Sequence, residues 1–183
     1  MKYVHVLLLV LIFFAVTLSG PHNAAAASGE QISLNAEKAL QKLYKSSSAA
    51  RAIGDKAVSV LVFPAITKGG FIVGGLYGEG ALMKQGKTVS YYNTVAASYG
   101  LQAGLQKYGY ALFFMTDSAE EYLNRSDGCE LGVGPNSTVI NVGATKSSST
   151  TTMKSDMYAF FFDQKGLMAG LGLQGTKITK ISK

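Results

Sequence analysis

The 183-residue sequence carries 17 Lys and Arg against 11 Asp and Glu, a formal charge of +6, with 48% apolar residues, no Trp and a single cysteine, Cys129. That excess of positive charge favours anionic partners only weakly. A lone cysteine rules out an intramolecular disulfide and suits a small buried hydrophobe better than a reactive thiol.

The opening thirty residues read as an export signal: Lys2, an apolar run from Val4 to Leu18, then small residues ending in Ala24–Ala27. Several A-x-A cuts are available there, so residues 1–27 are expected to be a signal peptide and 28–183 a single domain. An uncleaved anchor is the alternative, but the run is shorter than the roughly 20 residues a spanning helix needs. Pro21 follows "TLSG" where a lipoprotein would place its lipid-accepting cysteine. A soluble or peripherally bound product in the periplasm or cell envelope is therefore expected. About 155 residues remain, enough for one domain with a real core.

From Ser33, "SLNAEKALQKLY" puts Ala36, Ala39, Leu40, Leu43 and Tyr44 on one helical face and Lys38, Lys42 and Lys45 on the opposite one. Ser48 then caps a second helix to about Lys56, and "VSVLVF" reads as a buried strand ended by Pro64. Beyond it, glycine-separated strands are expected at 70–77, 79–84, 88–98, 101–107, 110–116, 137–144, 157–162 and 167–178. Gln85-Gly86 is a hairpin turn, Asp117 caps a short helix "SAEEYLNR", and the polar stretch from Thr145 to Asp156 is a loop.

A pattern recurs at "GFIVGG" (70–75), "GLQAGL" (100–105) and "GLMAGL" (166–171), at intervals too unequal for a solenoid. Glycines two or four apart on one strand face mean either that another backbone or a helix approaches closely or that the sheet bends strongly. No crossover helices separate these strands. The expected fold is α+β: a curved antiparallel sheet, closed into a barrel or left open, with the N-terminal helices packed on it.

The two histidines, His5 and His22, both fall in the leader. Histidine-based nucleophilic catalysis and His-containing zinc sites are then unavailable to the remaining chain, and no acidic cluster has metal-ligand spacing. "ALMKQGKTV" resembles a phosphate loop, but Ala81 stands where the first glycine must be and strand residues follow where a helix is needed. "GVGPNS" (132–137) fails as a dinucleotide fingerprint at Pro135 and Ser137. Neither an enzyme, a cofactor, a metal nor a nucleic-acid partner is expected. Glu79, between Gly78 and Gly80, reads as a turn carboxylate.

Val62-Phe63-Pro64, Gly78-Glu79-Gly80, "YYNTVAASYGLQAGLQKYGYALFFMT" and "GLMAGLGLQGTKIT", in that order, resemble the SYLF-domain family from about Ala36 onwards. The resemblance implies a phospholipid-binding module without catalytic residues, related in eukaryotes to actin-binding adaptors. Actin is not an expected partner of an exported chain. The sequence departs from the family at the missing lipoprotein cysteine and at Cys129, where relatives often carry an aromatic. The leading expectation is a non-enzymatic envelope protein docking reversibly on anionic phospholipid through Lys38, Lys42 and Lys45 and the terminal Lys177 and Lys180. The alternative is a structural or protein-binding envelope module using a sheet edge or the 145–156 loop.

Overall fold

The computed structural model describes residues 27–124, 129–131, 137–142, 155–166 and 176–183. The expected leader, most of the 145–156 loop and the third glycine repeat beyond Gly166 lie outside the described residues.

Helix α1 (Gly29–Ser46) starts four residues before the expected Ser33. Ser28 provides the cap, its hydroxyl accepting from the Gln31 amide at 3.2 Å, and the Ser33 hydroxyl instead bonds back to the Gly29 carbonyl. Ile32, Ala36, Leu40 and Leu43 form its buried stripe at spacings of three and four. Ser47, in an extended conformation, ends α1 and caps α2 (Ser48–Gly54) through the Ala50 amide, one residue earlier than expected.

The sheet differs more from expectation. Strand β1 runs unbroken from Ser59 to Lys84 and β2 from Lys87 to Phe114, joined by the expected Gln85-Gly86 turn. Both turn residues have positive φ, 50° and 76°, which fits a right-twisted two-residue hairpin. Pro64 does not end β1. It sits in the register shift between Phe63 and Ile66, where its missing N–H leaves no gap in the ladder. The remaining elements are α3 (Asp117–Glu121), with Thr116 rather than Asp117 as its cap, a 3₁₀ turn (Tyr122–Asn124), and β3 (Cys129–Leu131), β4 (Ser137–Asn141), β5 (Met157–Gly166) and β6 (Thr176–Ile181).

One edge of β2 carries β1 along its length. The other carries β6 at residues 91–95 and β5 at 106–114, giving the order β3-β6-β2-β5-β4 with β1 beside β2. The pairs are antiparallel, as expected, except β4–β5, which is parallel. Residues 142–156 join those two strands, and a connection of that length permits a parallel return. Among the described residues no pairing joins the ends of this order, so the sheet is curved and open, not a barrel.

A straight strand of β1's length would span on the order of 80 Å. Instead β1 folds back over itself. A Cβ at Gly80 would stand 2.5 Å from the Val62 carbonyl oxygen and 2.7 Å from the Phe63 ring, and one at Gly78 would stand 2.8 Å from Ile66 and 3.0 Å from the Ala65 carbonyl. Of the two explanations for in-strand glycine, close backbone approach and strong curvature, both hold here, and the approaching backbone is the strand's own first half.

The fold-back gives the sheet an inner and an outer side. Inside lie Leu61, Phe63, Ile66, Leu82, Tyr92, Tyr110, Phe161 and Ile178, closed off by Ala119 and Leu123. Phe63, Tyr110 and Phe161 are cross-strand partners on β1, β2 and β5, stacked at 5.1 and 5.5 Å, an in-register aromatic ladder. Outside, Val60, Val62, Ala81, Ala111, Phe113, Tyr158 and Phe160 pack against the buried stripe of α1 and against α2.

Gly80→Ala is expected to lower stability by about 1–3 kcal/mol, the cost of overpacking a site that must shift backbone to accept a methyl group. Gly75→Ala, whose Cβ would meet only the Ala96 carbonyl at 3.4 Å, should cost less. Urea titration of the two variants provides the comparison, and equal midpoints would remove the close approach as the reason for Gly80.

Candidate functional site

The outward stripe of α1 places Lys38, Lys42 and Lys45 in solvent, on the side away from its buried residues. Lys42 is not free: its ammonium sits 2.6 Å from an oxygen of Asp163, which occupies a positive-φ position in β5. Both side chains are open to water, so this bond contributes little to stability. Lys38 and Lys45 have no ion-pair partner among the described residues.

Lys177 and Lys180 are both exposed, but β6 continues to Ile181 as a regular strand, with Lys177 opposite Val95 and Lys180 opposite Tyr92. Three residues apart on an extended strand, they occupy opposite faces. The structure does not gather them into one cluster.

Glu79 is a strand residue, not a turn residue. One carboxylate oxygen accepts from the Tyr77 hydroxyl at 2.9 Å and from the ammonium of Lys183 at 2.9 Å. The Glu79 and Lys183 side chains are only 16% and 13% exposed, although Lys183 as a residue is open to solvent. Partial burial, followed by the bond to Glu79 and its negative charge, raises the Tyr77 hydroxyl above its ordinary pKa. A Cβ at Gly29 would touch both the Tyr91 hydroxyl and Lys183, and the Ser33 and Tyr91 hydroxyls are 3.0 Å apart. The start of α1 and the last residues of the sequence are therefore fastened to the same place.

A groove of about 560 Å³ opens between α1, the segment after α2 and the β1–β2 turn, lined by Glu37, Tyr44, Asp55, Val58, Ser59 and Met83 among others. Its ionisable rim is acidic and holds no Lys or Arg, which makes it a poor seat for a phosphate. Among the described residues, no three His, Cys, Asp or Glu are placed to hold a metal ion.

The outer side of the sheet is covered by helices only in part. Past them, Thr67, Lys107 and Lys165 form one exposed cross-strand row, and Tyr77, Val95 and Lys177 another. Leu105, two residues from Lys107, is 57% exposed, Tyr77 51% and Val95 38%. Of this surface the sequence pattern points only to Lys177. The other residues come together through a register that continuous strands establish, and glycine by composition reads as an interruption of those strands.

Comparison with known families bears on the second part of the chain. A family model described as Ysc84, Las17-binding protein actin regulator, matches residues 95–183. The match of residues 95–183 is consistent with the SYLF-domain family. The matched segment begins inside β2 and includes β5 and β6, so in this segment β2 pairs with β1, which precedes the match, and with both later strands. The family is lipid-binding and related to actin regulation. No curated protein matches the chain.

Lys183→Met is expected to destabilise the fold by about 1–2 kcal/mol, between an exposed and a fully buried broken pair, because Glu79 keeps only the Tyr77 hydroxyl. Adding Glu79→Gln should recover part of that loss. Thermal melts of the two single variants and the double variant measure the coupling, and strictly additive effects would deny it.

Proposed function

We propose that the protein is a non-enzymatic module of the cell envelope that docks reversibly on anionic phospholipid. The observation that carries this reading is the α1 stripe, where Lys38, Lys42 and Lys45 project into solvent from a helix whose other face is fixed in the core. The match of residues 95–183 to a lipid-binding family supports it. The leader-like opening of the sequence supports export.

Each lysine near an anionic surface adds about 1 kcal/mol, and the attraction decays within a Debye length, about 10 Å at 0.1 M salt. Two or three such lysines give measurable, salt-sensitive binding. Among the described residues no helix is long and apolar enough to cross a membrane. On this reading attachment is peripheral, combining charge with modest apolar contact.

In vesicle sedimentation, the protein should pellet with anionic vesicles at low salt and release as salt rises. The Lys38→Glu/Lys45→Glu variant, which leaves the Lys42–Asp163 bond in place, should bind about tenfold or more weakly with an unchanged melting temperature. Reversing Lys42 as well should weaken binding further, and changing Lys177 and Lys180 should have a smaller effect. Indifference of the unaltered protein to anionic vesicles would overturn the reading and favour a structural or protein-binding role.

A further inference from the structure

The bare outer side of the sheet has two properties that a merely solvated surface does not require. First, among the described residues, three of the six large apolar side chains that stand exposed, Tyr77, Val95 and Leu105, lie on it, although elsewhere on the same side such residues are covered by α1 and α2. Leu105 lies over Gly69, its register partner on β1, so no side chain from that strand shields it. Second, Lys107 and Lys165 are direct cross-strand partners, both exposed, and neither has an ion-pair partner among the described residues.

Like charges directly opposite one another on antiparallel strands destabilise the pairing. A single acidic replacement at either position would turn repulsion into attraction, so the lysine pair is a local sacrifice of stability that maintains positive potential. The nearby Asp163 is already occupied by Lys42. At the other end of the face, Glu79 is neutralised by Lys183. Lys107 and Lys165 stand side by side without a counter-charge among the described residues, beside Leu105, the most exposed leucine among them.

We infer that this uncovered sheet face, with Lys107 and Lys165 at its charged end and Leu105 and Tyr77 as its apolar contacts, meets an anionic phospholipid bilayer together with the α1 lysines, which adjoin it through the bond from Lys42 to Asp163, two residues from Lys165. The inference rests on the lipid-docking reading and adds to it the face and the manner of contact. Lysines take the headgroup phosphates while their alkyl stems lie along the sheet, and a leucine and the Tyr77 ring enter the interfacial layer, the tyrosine hydroxyl staying on the Glu79 carboxylate. A soluble phosphate would use the two ammonium groups and leave the apolar residues idle. A bilayer uses both.

The sequence contains no Trp, so one introduced indole reports on its own position. Leu105→Trp and Tyr77→Trp test the face, and Leu34→Trp, at an exposed apolar site one turn from Lys38 on α1, reports on the helix stripe. With phosphatidylglycerol–phosphatidylcholine vesicles, the first two reporters should shift to shorter wavelength and become shielded from iodide. They should not respond to phosphatidylcholine vesicles or inorganic phosphate. Lys107→Glu should bind about tenfold more weakly while its melting temperature rises or holds, since it relieves the like-charge pair. If sedimentation shows binding but only Leu34→Trp responds, the face is wrong and lipid docking stands. If inorganic phosphate alone moves the Leu105 and Tyr77 reporters, or if Lys107→Glu binds as the unaltered protein does, the bilayer contact is refuted. If anionic vesicles bind nothing, both readings fall.

Discussion

The structure depends on β1 crossing its own path at Gly78 and Gly80. Only there, where no side chain intervenes, can the strand's second half settle on the Val62 and Ala65 carbonyls of its first half. A hairpin that stayed straight would have two open faces and little to bury. Folded back, it encloses the Phe63–Tyr110–Phe161 ladder on one side and presents Val60, Val62 and Phe113 to the helices on the other. Tight packing on both sides of a single sheet is what allows a fold of this size to hold together, because buried apolar area must offset the conformational entropy of every ordered residue.

Much of this was legible from local pattern. The α1 stripe, the Gln85-Gly86 turn and the strand character of residues 157–162 follow from periodicity and turn chemistry, and all three are present. Strand continuity was not legible. Pro64 and Gly78 are breakers by composition, yet each is compatible with β structure under a condition supplied from elsewhere: a register shift for Pro64, a crossing backbone for Gly78. The same gap hid the role of Glu79, whose partner Lys183 is 104 residues distant. Short-range rules see neighbours within a few residues, and a long ion pair leaves no trace at that range.

The candidate surface shows a related limit. The helix stripe could be read directly because residues three and four apart share a helical face. Lys107 and Lys165 become neighbours only through the β2–β5 register, and the bulge between Lys107 and Gly109 sets which residues oppose each other. Their repulsion, the exposure of Leu105 and the covering of only part of the sheet by α1 are facts of three-dimensional arrangement. The family match points in the same direction as the helix stripe but covers residues 95–183, so α1 and β1 lie outside it.

The Gln85-Gly86 turn also carries a consequence for how the chain assembles. Contacts between β1 and β2 grow outward from two adjacent residues, so each new pair closes only a slightly larger loop, whereas β6 must find residues 91–95 from more than eighty positions away. Loop closure is entropically unfavourable until contacts reward it, which places the hairpin early and β6 late in folding. Interactions made after the transition state act on unfolding more than on folding. The Glu79–Lys183 bond joins the first-formed unit to the last-arriving strand, so it behaves as a latch on the unfolding rate. Hydrogen exchange should accordingly release the β6 amides before those around the turn, and the reverse order would contradict this sequence of events.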